Sequence, residues 1–215
     1  MDAKRLAEAE GKPGFECLID NNIAAVVMDM YLAGTDTIYT TLVWNLLFMV
    51  YYSDWQQIMR NEVNDRLGDR APVVTDKHHL HNVMAFVYET IRWRNAGPMG
   101  APHMTLSDTI LGGKYPVPGQ TILIIHLWHI LTNDKYFTNA DQFKPERFID
   151  EHGQFNSIES SAYIPFGTGR HGRAYLIVSV LENRTVLIYP VLWQRNVKTV
   201  REWGEENKEG LIPFG

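Results

Sequence analysis

A glycine-rich stretch, Tyr163-Ile-Pro-Phe-Gly-Thr-Gly-Arg-His-Gly-Arg-Ala-Tyr175, is the part of this 215-residue chain best suited to holding a ligand. Its glycines let backbone approach a bound group closely, and a helix start after it would offer free N–H groups. Gly167-Thr-Gly-Arg-His-Gly172 spells G-x-G-x-x-G. A dinucleotide site with that pattern needs a strand before it, a helix after it and an acid about 20 residues further on. Pro165 cannot donate to a strand ladder, and the apolar run from Val186 to Trp193 ends in Gln194-Arg195 rather than an acid, so this reading is set aside.

Three other groups could do chemistry. Ala33-Gly-Thr-Asp-Thr37 puts a carboxylate and a hydroxyl into an apolar helix pattern, with Gly34 removing bulk at about 1 kcal/mol of helix propensity against Ala. A kinked core helix, with Thr37 bonded back to a carbonyl and Asp36 reaching solvent, accounts for these residues equally well. Glu89-Thr-Ile-Arg92 places an acid and a base on one helix face; as a solvated pair it would contribute only about 0.3 to 0.5 kcal/mol. His78, His79 and His81 invite a zinc reading, but the run lacks a helical i, i+4 pair or a cysteine partner, so surface histidines are expected.

The elements that must position these groups are mostly helical in the first half. Asp20 to about Tyr52 reads as one long helix, apolar almost all round, as in a helix through the middle of a protein. Ser53-Asp54 reads as a break and N-cap before an amphipathic helix from Trp55 to Leu67. Asp76 to His81 is turn-rich, and Leu80 to Trp93 is helical in pattern. Beyond Asn95, prolines and glycines become frequent. Gly112-Gly113 and Pro116-Val-Pro-Gly119 mark turns around short strands, Thr121 to Ile125 reads as a strand, and Leu127-Trp128 opens a short helix. Leu176 to Tyr189 has an apolar helix pattern, and Glu202 to Gly210 reads as a polar tail connection. The order predicts a single, mainly α unit of the α+β class.

Composition narrows the function classes. An apolar content of 45% supports a buried core, and a net charge of −5 supplies no basic field for nucleic acid. The single cysteine, Cys17, excludes an internal disulfide framework and a cysteine-based zinc site. Met1 to Gly14 has no hydrophobic targeting core, and Asp29, Asp36 and Asn45 interrupt the apolar stretch from Ile23 to Val50, so neither signal peptide nor membrane anchor is expected.

Four motifs together carry a resemblance. Ala33-Gly-Thr-Asp-Thr37, Glu89-Thr-Ile-Arg92, Pro145-Glu-Arg-Phe148 and Phe166-Gly-Thr-Gly169, in that order, resemble the motifs of the cytochrome P-450 family. The chain is similar to the carboxy-terminal half of an animal microsomal member, near the steroid 17-alpha-hydroxylase and drug-metabolising groups, from about Ile19 to the end. The resemblance implies a truncated P-450 fold as one partial domain, 1–215, with haem as cofactor. It also implies monooxygenase chemistry on a small lipophilic or steroid-like substrate, electrons from a flavoprotein reductase, and the endoplasmic reticulum membrane as location, though the anchorless chain alone would be cytoplasmic.

By the same resemblance Asp36 and Thr37 deliver protons for oxygen activation beside the cleft opened by Gly34. Glu89, Arg92 and Arg147 form a buried triad, and His103, Phe166, Gly169 and His171 face the haem. The family pattern Phe-x-x-Gly-x-Arg-x-Cys-x-Gly is broken here: His171 stands in place of Arg, Arg173 in place of the iron-ligating cysteine, and Tyr175 in place of Gly. No metal ligand is therefore expected, and the resemblance implies a haem- and iron-binding monooxygenase family member that is inactive as written; the alternative is a truncated, catalytically dead remnant acting at most as an interaction module. Apolar faces that pack on the rest of a full-length member are expected to be exposed.

Overall fold

The computed structural model describes residues 2–12, 14, 19–157 and 161–168. Gly169, His171, Arg173 and the predicted elements beyond them lie outside the described residues. Contacts group the chain into two compact units, Met1–Thr37 and Ile38–Gly215.

The first unit contains α1 (Asp2–Ala9), which the sequence did not single out, and the first part of α2 (Asp20–Tyr51). Ile23, Val26, Val27, Met28, Met30, Tyr31 and Leu32 are all exposed. A helix apolar all round needs neighbours on several sides to be buried, and among the described residues of this unit only α1 is available. The expectation of a helix enclosed by protein therefore fails for this portion.

From Ile38 onward α2 has a buried face, Thr41, Asn45, Phe48 and Met49, at the spacing of one helical side. It breaks at Tyr52 and α3 (Ser53–Leu67) begins at once. The sequence predicted a cap at Ser53-Asp54. Instead Tyr52 occupies the cap position without a side-chain capping bond. Its N–H still donates to Phe48 at 2.7 Å and its carbonyl already accepts from Gln56 at 3.0 Å, so one residue serves both helices. The Tyr52 ring stacks on Phe143 at 4.7 Å, which fixes the joint by packing rather than by a hydroxyl.

Phe143 is the centre of the core, with Phe48 at 4.8 Å and Phe86 at 5.1 Å between ring centroids. Met59, Val63 and Leu67 of α3 and Leu80, Val83 and Phe86 at the start of the next helix complete that cluster. This next helix, α4 (His81–Trp93), is buried along most of its length. Its amino end is held by Glu62 of α3: Oε1 accepts from the backbone and side-chain N–H groups of Asn82, and Oε2 accepts from the Val83 N–H, each at 3.0 Å. A carboxylate there meets both the unpaired amides and the positive end of the helix dipole.

The α3–α4 connection contains a short 3-10 turn, Val74–His78, built around Asp76. Arg70 grips Asp76 with two bonds of 2.7 and 3.0 Å, and the Val73 N–H adds a third at 2.7 Å. His78 and His79 are exposed, but His81 accepts the Phe155 N–H at Nδ1 and is half-buried, so it is not a surface histidine.

After α4 come two small antiparallel sheets. In one, β1 (His103–Met104) pairs with β4 (Ile122–Leu123); in the other, β2 (Thr109–Leu111) pairs with β3 (Tyr115–Val117). The strand predicted to reach Ile125 stops at Leu123, because the register would next pair Ile124 with Pro102, which has no N–H. Gly119 passes so close to Ser107 that an added Cβ would meet its Cα at 3.1 Å. A short α5 (Leu127–Leu131) follows, capped by His126 Nδ1 accepting the His129 N–H. No described helix is long and apolar enough to cross a membrane.

The Arg70 hydrogen bond, helped by the Val73 N–H and opposed by burial, holds the Asp76 carboxyl below its usual range. A carboxyl depressed on folding stabilises above its unfolded value, about 3.9, and that contribution disappears as pH falls through the folded value. Asp76→Asn is expected to lower the urea midpoint at neutral pH and to make progressively less difference as pH falls below the unfolded value of about 3.9, as a denaturation series across pH would measure.

Candidate functional site

The structure brings Glu89, Arg92 and Arg147 together. Arg92 lies one helical turn after Glu89 on α4, so its Nε reaches Glu89 Oε2 at 2.7 Å and its Nη2 reaches Oε1 at 2.8 Å. Arg147 arrives from the 3-10 turn Pro145–Phe148, with Nε 3.0 Å from Oε2 and 3.1 Å from Oε1. The Lys144 N–H donates to Oε1 at 2.8 Å. Glu89 and Arg92 are 0% exposed and Arg147 11%. The solvated pair is thereby excluded.

Burying three charges is tolerable only with every donor satisfied. All five Arg92 N–H groups are used: two on Glu89, and one each on the carbonyls of Leu131, Ala140 and Gln142 at 2.6, 3.0 and 3.1 Å. Arg147 donates further to the carbonyls of Thr138, Asn139 and Gln142. The excess positive charge thus faces a ring of carbonyl dipoles, and the segment between α5 and Pro145 is wrapped around two guanidiniums. Phe137 closes one side, 5.3 Å below the Arg92 guanidinium carbon.

The glycine stretch and the residue before it attach to this scaffold through several contacts, among them a bond from Asn95 Nδ2 to the Pro165 carbonyl at 2.7 Å. Ala162 packs in a cluster with Leu131, Phe137 and Ala140. The Tyr163 hydroxyl donates to the Tyr88 carbonyl at 3.1 Å, and the two rings stack at 5.3 Å. Phe166 packs against the Val87–Ile91 cluster, as does Leu42. Gly167 follows with a φ of +76°, a conformation that favours glycine, and its N–H donates to Ile164 at 2.9 Å. The start of the motif is therefore a turn held against α4.

Gly34 is half-buried, and Asp36 and Thr37 are exposed, all within the first unit. His103 is exposed on β1. Gly169, His171 and Arg173 fall outside the described residues. Among the described residues no group of three His, Cys, Asp or Glu side chains could hold a metal ion, which includes the histidine run. Sequence reasoning missed Glu62, Tyr163 and Asn95 as positioning groups. Only Asn95, a polar residue ahead of a Gly-Pro turn, carried a local signal.

A family model described as cytochrome P450 matches residues 1–172, and the chain belongs to that family. It is similar to the steroid 17-alpha-hydroxylase/17,20 lyase of Squalus acanthias, 32% identical over 79% of this chain and 33% of the relative. It is 35% identical to cytochrome P450 2K6 of Danio rerio over 70% of this chain and 29% of the relative, and 33% identical to cytochrome P450 2D1 of Rattus norvegicus over 87% and 36%. The chain spans about a third of the length of these curated relatives. The animal microsomal type and the mainly α fold with small antiparallel sheets follow from these matches and from the structure. The family match extends to the first residue, not only from Ile19, and stops one position before Arg173.

The family implies haem as cofactor; of the loop that would meet it, Phe166 is seated on α4 and Gly167 takes a turn. The donor set does not fit. Where the family pattern would put the iron-ligating cysteine the sequence has Arg173, and a guanidinium has donors only, with a fixed positive charge and no lone pair for iron.

Removing one charge should expose the dependence on the triad. Glu89→Gln leaves two buried guanidiniums without their anion and is expected to cost about 3 to 5 kcal/mol, a large share of the stability of an ordinary domain. Urea denaturation followed by far-UV circular dichroism would measure it.

Proposed function

We propose that this chain is a core segment of a microsomal monooxygenase of the P450 type that does not itself carry out haem-thiolate oxygen insertion. The observation that carries the reading is the pairing of a satisfied Glu89–Arg92–Arg147 clamp with an arginine at the axial position. Gly34, Asp36 and Thr37 keep the residue types of the family's oxygen groove, and His103 and His171 those of its haem edge. They would serve that chemistry only with an iron ligand that residue 173 does not supply. A lipophilic substrate, a flavoprotein reductase and the endoplasmic reticulum membrane belong to this reading through the relatives alone.

A second reading, an interaction module without catalysis, is favoured by the exposed apolar side chains Val26, Val27, Met30 and Tyr31 on α2. Both readings predict that the chain mixed with haem, reduced and exposed to carbon monoxide, lacks the Soret band of thiolate-ligated iron. Appearance of that band would overturn both. Arg173→Cys separates them: a thiolate band in this variant identifies a haem pocket lacking only its ligand, and its absence favours the interaction module.

A further inference from the structure

Asn95 lies just beyond α4 and holds two segments at once. Its Nδ2 donates to the Pro165 carbonyl at 2.7 Å, across 70 residues of sequence, and its Oδ1 accepts the Gly97 N–H at 2.7 Å. The sense of both bonds is fixed, since a carbonyl can only accept and a backbone N–H only donate. Each end is part of a further turn. On one side the Gly167 N–H donates to the Ile164 carbonyl at 2.9 Å, and Phe166 packs against Val87 and Ile91. On the other the Gly100 N–H closes onto Gly97 at 3.0 Å, and the Pro98 carbonyl accepts the Trp128 N–H at 2.9 Å. The residue before Asn95 is anchored as well: the Arg94 guanidinium lies 4.3 Å from the Trp93 ring centroid and 5.3 Å from that of Trp44, and its Nη1 donates to the Trp93 carbonyl.

We propose that Asn95 is a positioning residue that couples the glycine stretch at Pro165–Gly167 to the Gly97–His103 turn, so that the two segments keep one relative geometry. A carboxamide presents one donor and one acceptor on a single planar group, which is what this junction requires. An ionised carboxylate would still accept from Gly97 but would turn a lone pair on the Pro165 carbonyl. An alanine would satisfy neither. That the coupled segments border a cofactor rests on the proposed function; the coupling itself rests on the hydrogen bonds.

Amide hydrogen exchange on the full chain tests this without any cofactor, so a negative haem spectrum and a failure of the coupling are separate results. In Asn95→Ala, residues 164–167 and Gly97 to Gly100 are expected to exchange about fivefold to tenfold faster, with α4 unchanged, the effect of losing one net hydrogen bond at each end. In Asn95→Asp at neutral pH, only residues 164–167 accelerate. Below the ordinary carboxyl value of about 3.9, the neutral acid can donate to Pro165, and their protection returns toward that of the parent chain at the same pH. Unchanged exchange at 164–167 in Asn95→Ala overturns the proposal, as does an Asn95→Asp profile that tracks the parent at both pH values. Should Asn95→Ala also loosen α4, Asn95→Asp decides: recovery at low pH supports the coupling, and no recovery overturns it.

Discussion

A single carboxylate, Glu89, shut away from water between two guanidiniums, is the constraint on which the second unit depends. Charges of this kind cannot be left partly paired, because an unmatched ion in a low-dielectric interior costs several kcal/mol. Both arginines therefore continue past Glu89 to main-chain carbonyls of Leu131, Thr138, Asn139, Ala140 and Gln142. The result is specific geometry more than net stability: α4, α5 and the Pro145–Phe148 turn can meet in only one arrangement.

Everything else in this unit keeps α4 where the triad needs it. Glu62 fixes its amino end from α3, Phe143 locks α3 to the end of α2 through Tyr52, and Tyr163 ties the glycine stretch to its outer side. None of these contacts involves iron. Those that hold the glycine stretch act on its described start, Tyr163 to Gly167, several residues ahead of the position where the family pattern carries its iron ligand.

The sequence was legible where local chemistry decides structure. The spacing of Glu89 and Arg92 places them on one helix face, Gly112 and Gly113 mark a hairpin, and the position of α4 follows from its apolar pattern. That Arg147 joins them rested on the family motif, since nothing local to Pro145-Glu-Arg-Phe148 names a partner 58 residues away. Tertiary packing overrode local signals elsewhere. Ser53 looks like a cap, yet the Tyr52 ring on Phe143 sets the break; Ile124 and Ile125 look like strand, yet Pro102 leaves them unpaired. His126 caps α5 through a ring nitrogen, a role that residue type does not announce.

The grip of Arg92 and Arg147 on peptide oxygens has a further implication for how this region can change. Peptide oxygens are present whatever side chain a position carries, so the five grasped positions are free to exchange residue types as long as the path of the chain is kept. Leu131 and Ala140, buried together, are exceptions by packing, and Asn139, at a φ of +51°, by backbone conformation. Divergence among relatives should therefore run high at Thr138 and Gln142, which are exposed, while the core positions Phe137 and Phe143 and the three charged residues tolerate almost none.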